Sequence, residues 1–258
     1  YRFASCQIQF WRGRSSSHMA VRSRVRASVA AHALPRDRFF NRELSRLEFD
    51  SRVLTMAEDR ERPLAERLRF LAIVSDSLDD FFQVRVAGLH EQMMAPLSLT
   101  SPDGMTPHEQ LEGIGQRVRD LMARQSAAFT SDIAPALAES GFRITSTAQL
   151  TKADRGLLAG VFQERIFPVL TPLAVDPAHP FPYISNLSLN LAVMVRDPDR
   201  PQPRFARVKV PPLLPRFIAL PAGERFVPLA QVIALPLQVL FPCMQIVRPH
   251  FFRAHPPP

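Results

Sequence analysis

Cysteine is almost missing from this chain. The 258 residues hold two, Cys6 and Cys243, near opposite ends and without CxxC or Cys/His ligand spacing. That removes a disulfide framework and a zinc module as organising devices, and it predicts a reducing, cytoplasmic setting. Long apolar runs are missing too, since Arg, Asp, Ser or Pro interrupts every hydrophobic stretch before the ~18 residues a membrane span needs. No membrane span is expected. Phosphate-cradling glycine strings of the GxxxxGK[ST] or GxGxxG type are absent, as is the GxSxG turn of serine hydrolases. Gly113-Ile114-Gly115 comes nearest, but it falls inside an apolar helical pattern and reads as a pair of helix glycines. His90 and His108 likewise read as ordinary helix residues.

What is present is an ordinary globular mixture, 46% hydrophobic and 22% charged, so most of the chain should fold. The length suits one large domain or two modest ones. The net charge of +8 invites a nucleic-acid reading. Its location argues against that. Residues 1–36 contain seven Arg and no acid, residues 248–258 add Arg248 and Arg253, and the stretch between is close to neutral. Lysine occurs only at Lys152 and Lys209. Nucleic acid is therefore not the expected partner.

Residues 1–37 read as a disordered, Arg- and Ser-rich extension of transit-peptide-like composition, with Met19 as a candidate start. From 38 to 141 the periodicity is helical. Ser45 with Glu48 suggests a capping box, Pro63 suits a first helical turn, and Leu64, Leu68, Leu71, Leu78, Phe82 and Leu89 form an apolar stripe. Thr106-Pro107-His108-Glu109 predicts a second start, and Gly141 a stop. Proline then marks a change: 19 of the 25 prolines lie at 168–258. A short helix is predicted at 151–166, capped by Thr151 with Asp154. Leu187–Val195 alternates as a strand does, and Phe205–Val210, Arg216–Leu220 and Arg225–Pro228 are further strand candidates. The expected fold class is α+β: an N-terminal antiparallel helical bundle at 38–141, then a partial antiparallel-sheet-plus-helix head at 142–247. An aberrant Pro-rich tail is expected at 248–258.

The most informative segment is 66–91, where Ser75, Asp76, Ser77, Asp79 and Asp80 interrupt an apolar helix just before Phe81 and Phe82. An exposed polar turn is one reading. A cleft with an apolar wall and a polar side chain that reads a planar base is the other.

Here a family resemblance emerges. FFNRELSRLEFDSRVLTMAED (39–59), RPLAERLRFLAIVSDSLDDFFQVRVAGL (62–89), FPVLTPLAVDPAHPFPYISNLSLNLAV (167–193) and FARVKVP (205–211) resemble, in order, the amino-terminal half of the long bacterial-type polyphosphate kinases. The DPAHPFP and LSLNLAV strings are closest to actinobacterial members. The resemblance implies a helical domain that contributes to the ATP site, a head domain with dimer contacts, and two carboxy-terminal catalytic domains. In these, a histidine is phosphorylated by ATP and passes the phosphoryl group to polyphosphate, with Mg²⁺ as cofactor. The 258 residues contain no His-x-Lys string, so the resemblance implies a truncated chain without the phosphate-acceptor histidine and inactive alone; no catalytic residue and no metal ligand is assigned.

Three strings depart from the family's. ELSWL reads Glu43-Leu44-Ser45-Arg46-Leu47, which puts a charge where the family has an aromatic side chain. NLDEF reads Ser77-Leu78-Asp79-Asp80-Phe81, so the asparagine associated with the adenine of ATP falls on Ser77, which lacks an amide's paired donor and acceptor. LFPGM reads Leu240-Phe241-Pro242-Cys243-Met244, and the following FRxTR becomes Phe252-Arg253-Ala254-His255. Ser77 is thus the one expected ATP-binding residue, with Asp79 and Asp80 as structural or surface carboxylates. The alternative function is a non-catalytic module that dimerises with, or regulates, a full-length family member through the head, using Leu187–Val195 as a sheet edge.

Overall fold

The computed structural model describes residues 38–95, 100–174, 184–198, 202–221 and 223–253. The expected extension at 1–37 and the residues 254–258 lie outside the described set. Helix α1, Arg42–Glu58, is capped by Asn41, whose Oδ1 accepts the Glu43 and Leu44 N–H groups at 3.0 Å each. The start lies a turn before the predicted Ser45/Glu48 box. Asn41 is extended and offers the acceptor that the first orphan N–H groups need, whereas Ser45 already donates its own N–H to the Asn41 carbonyl.

Helix α2, Leu64–Asp80, follows Pro63 and runs on through a π-helical stretch, Phe81–Val86, into α3, Ala87–Met94. Helix α4, Pro107–Ala128, has the predicted Thr106/Glu109 capping box with Pro107 in its first turn. It widens into a π-helical turn, Phe129–Ile133, before α5, Ala134–Glu139. Pro135 explains the widening, since its missing N–H and its ring disturb the preceding turn. Gly141, at φ +83°, ends the run. Leu47, Leu54, Leu71, Val74, Ile114, Val118 and Ile133 form one core. The buried Arg67 ties its helices together: Nε donates to the Ala57 carbonyl at 2.8 Å and Nη2 to Asp132 at 2.6 Å.

Beyond Gly141 come β1 (Arg143–Ile144), α6 (Lys152–Val161), β2 (Pro172–Ala174), β3 (Leu189–Arg196), β4 (Arg204–Lys209), β5 (Phe217–Ala219), β6 (Arg225–Pro228), α7 (Leu229–Ala234), α8 (Leu237–Leu240) and β7 (Gln245–Arg253). The Thr151/Asp154 capping box of α6 is present. The order β2-β4-β3-β7 makes an antiparallel sheet, and β1-β6-β5 a small mixed one. Leu191, Val193 and Val195 of β3 join Phe162, Ile166, Val208, Val227 and Ile233 in a second core. The class is α+β.

Two expectations need correction. Strand β3 is no sheet edge, because β4 and β7 pair with it on either side. It also begins at Leu189 rather than Leu187, which adopts φ +55°. The expected tail from 248 contains strand instead: Arg248–Arg253 belong to β7 and pair antiparallel with β3. The strand was hidden because it is largely exposed and carries Arg248, Pro249 and His250, so no apolar alternation marks it. Pro249 is tolerated because β7 is an edge strand that pairs on one side only.

Candidate nucleotide-base cleft

Helix spacing brings the site together. On α1, Arg42, Glu43 and Arg46 share a side; Ser77 and Asp80 near the end of α2, with Phe81, Val84 and Arg85 of the π-helical stretch, face them. Between them lies an open cleft of about 480 Å³. A π-helical turn at its wall is in keeping with the concentration of such turns at functional sites.

The rim is paired charge. Arg42 donates from Nε and Nη2 to Glu43 Oε1 at 2.9 and 2.7 Å, and Arg85 Nε stands 3.9 Å from Glu43 Oε2. The floor is a closed ring of three side chains. Arg46 Nη2 donates to Ser77 Oγ at 2.6 Å, and Ser77 Oγ donates to Asp50 Oδ1 at 2.6 Å. Asp50 Oδ2, 3.7 Å from Arg46 Nε, has no hydrogen-bond partner. The Asp50 side chain is 1% exposed and that of Arg46 48%. The guanidinium therefore covers the carboxylate at the cleft wall, and its Cζ also lies 5.3 Å from the centre of the Phe49 ring.

Ser77 thus lines a cleft, but its proton is committed to Asp50. The two departures that the sequence presents separately, Arg46 and Ser77, are bonded to each other. Asp50, the third member, was missed: its i,i+4 relation to Arg46 is readable in the sequence, whereas the approach of Ser77 from another helix is not. Asp80 lines the cleft. Asp79 points elsewhere, taking a hydrogen bond from Arg253 Nη2 of β7 at 2.6 Å. With the Asn186 amide donating to Gln83 at 2.6 Å, it joins the helical part to the sheet part. Among the described residues no group of three or more His, Cys, Asp or Glu could hold a metal ion. No helix among them is long and apolar enough to cross a membrane.

A second cleft, of about 390 Å³ between α1 and α4, is lined by Glu48, Ser51, Arg117 and Arg124 among others. Its cations are already engaged: Arg117 pairs with Glu48, and Arg124 with Glu58 at 2.7 Å. Guanidinium groups satisfied by neighbouring carboxylates leave less for a ligand.

Comparison with known proteins accounts for both halves of the fold. Residues 39–145 match the model of the polyphosphate kinase N-terminal domain, and residues 153–255 that of the polyphosphate kinase middle domain. The polyphosphate kinase of Streptomyces coelicolor is 53% identical over 220 residues, which are 85% of this chain and 29% of that protein. That of Mycobacterium tuberculosis H37Rv is 47% identical over 251 residues, 92% of this chain and 34% of the relative. The crystal structure of polyphosphate kinase from Porphyromonas gingivalis superimposes with a TM-score of 0.72 at 29% identity, covering 83% of this chain and 32% of the other. The chain spans about a third of the length of these relatives. With two matched domains that together account for most of its residues, the chain belongs to the polyphosphate kinase family.

Proposed function

We propose that this chain supplies the nucleotide-holding N-terminal part and the head of a polyphosphate kinase, an enzyme that builds inorganic polyphosphate from ATP through a phosphohistidine. In this reading the division is helical domain 38–141 and head from 142 through β7, and the cleft of Ser77 receives the purine base. One observation carries it: the position that the family resemblance assigns to the base opens on a cleft of about 480 Å³ rather than on a packed helix surface. Arg42 and Arg85 at the rim are paired with Glu43, so a phosphate there would compete with that carboxylate.

Phosphoryl transfer needs a nucleophile and cations around the moving group. None of the seven histidines lies in a His-x-Lys string. The 258-residue polypeptide is accordingly a binding element, with polyphosphate as the substrate of the whole enzyme. A dimer contact through the head by strand addition would use an edge of the four-stranded sheet, β2 or β7. Calorimetric titration tests the reading. ATP should bind no tighter than about millimolar, near −4 kcal/mol, because Ser77 offers the base no free proton. Ser77→Asn should strengthen binding about threefold to tenfold, the value of one regained hydrogen bond. Micromolar affinity, indifference to cleft substitutions, or polyphosphate formation from ATP and Mg²⁺ by this polypeptide would refute it.

A further inference from the structure

Two side chains of the cleft make between them a pair that neither makes alone. Ser77 gives its proton to Asp50 Oδ1, so toward anything else its hydroxyl can only accept. One of its lone pairs takes Arg46 Nη2 at 2.6 Å, and a second is left. Guanidinium is the reverse, a fan of N–H donors with no acceptor. Among the described residues Arg46 makes a hydrogen bond only to Ser77, while its Nε stands 3.7 Å from Asp50 and its side chain is half exposed. Both residues line the cleft. The other guanidinium groups there, Arg42 and Arg85, stand against Glu43, which leaves Arg46 as the lining cation with N–H groups to offer.

We infer that Arg46 is a second base-binding residue, which supplies the donor that Ser77 lacks, so that the two side chains together do the work of one amide. The inference rests on the cleft being the base site proposed above. Adenine presents its 6-amino donor beside the N7 acceptor, the edge that an asparagine amide reads with one acceptor and one donor. Here Ser77 Oγ accepts from the 6-amino group and an Arg46 N–H donates to N7. With Arg46 Nη2 and Ser77 Oγ 2.6 Å apart, donor and acceptor lie side by side as in a single carboxamide. The two departures from the family's strings compensate each other: the charge at position 46 makes good the amide missing at position 77. Asp50 fixes the direction of the pair, because a hydroxyl that has given its proton away cannot turn round and donate to the base.

The test uses the 258-residue protein labelled with ¹⁵N. The arginine Nε–H signals and the backbone amides of the cleft are followed while ATP, 7-deaza-ATP, purine riboside triphosphate or inorganic tripolyphosphate is added. ATP should shift the Arg46 signal. 7-Deaza-ATP, which has C–H in place of N7, should bind about tenfold more weakly, the value of one hydrogen bond from a charged donor. Purine riboside triphosphate, which lacks the 6-amino group, should bind about threefold more weakly. Arg46→Met should weaken ATP about tenfold and erase the difference between ATP and 7-deaza-ATP without loss of fold, judged by an unchanged spectrum elsewhere. Asp80→Asn should leave both analogue differences in place; loss of the 6-amino effect in that variant would move the acceptor to Asp80 and overturn the pairing. Because the analogues need no substitution, the unaltered protein can refute the inference by itself: binding of ATP no tighter than either analogue would overturn it while leaving the cleft as a base site. A tripolyphosphate-induced shift at Arg46 equal to that of ATP would overturn base contact there. Absence of any cleft response to all four ligands would overturn the proposed base site, and the inference with it.

Discussion

Removing the hydroxyl at the cleft floor, Ser77→Ala, is the most informative single change for stability. In the folded chain that hydroxyl is the only hydrogen-bond donor to Asp50 among the described residues. The Asp50 side chain is 1% exposed, and its other oxygen already lacks a hydrogen bond. Taking the hydroxyl away leaves a buried carboxylate with Arg46 Nε at 3.7 Å as its remaining polar neighbour. A hydrogen bond to a charged group contributes about 1.5–3 kcal/mol, and an unsatisfied buried acceptor costs a similar amount. Ser77 is itself half buried, so water can restore part of the loss. The expected destabilisation is about 2 kcal/mol, which for a chain of this size is a fall in Tm of about 4–8 °C. Urea unfolding should show a lower midpoint with the same slope. Asp50→Ala combined with Ser77→Ala should cost clearly less than the sum of the single changes, since the second removes nothing the first has left. A destabilisation below about 0.5 kcal/mol for Ser77→Ala, with additive double-variant behaviour, would show that the ring does not form.

Restoring both family residues at once, Arg46→Trp with Ser77→Asn, should raise ATP affinity by more than the product of the single effects, because the two side chains share one hydrogen bond; calorimetry reads this directly. Asp154 is held at about 2, below its ordinary 3.8, first by the bidentate Arg225 guanidinium and then by the Thr151 N–H. A depressed folded value means stability that is complete above about pH 4 and is lost as pH falls toward 2, so Arg225→Gln should flatten acid unfolding of the sheet part in that window, followed by near-ultraviolet circular dichroism. Arg253→Gln should weaken hydrogen-exchange protection of β7 and quicken proteolysis between Gly141 and Thr151 while sparing α1 and α4, because Arg253 bonds Asp79 at the end of α2.

The helical half was legible because its signals are local. The Thr106 box, the proline at the start of α4 and the leucine stripe of α2 each determine structure within a few residues of themselves. The start of α1 was misplaced because Asn41 and Ser45 both carry capping side chains, and only the φ/ψ of each decides. In the sheet half, β3 was legible from its buried alternation, whereas β7 is held by backbone pairing to a strand 49 to 64 residues earlier and leaves no apolar pattern. The site divided the same way. Ser77 came from a resemblance in one string and Arg46 from another, and their bond, across 31 residues of sequence, depends on how α1 packs on α2.

The central claim is that a purine base sits between α1 and the Ser77–Arg85 stretch. A crystal structure of this polypeptide grown with ATP at several tens of millimolar measures it most directly. The account predicts the adenine in the α1/α2 cleft, beside Ser77 and Arg46. A nucleotide bound instead in the α1/α4 cleft beside Arg117 and Arg124, with the ring of Arg46, Ser77 and Asp50 untouched, would contradict it.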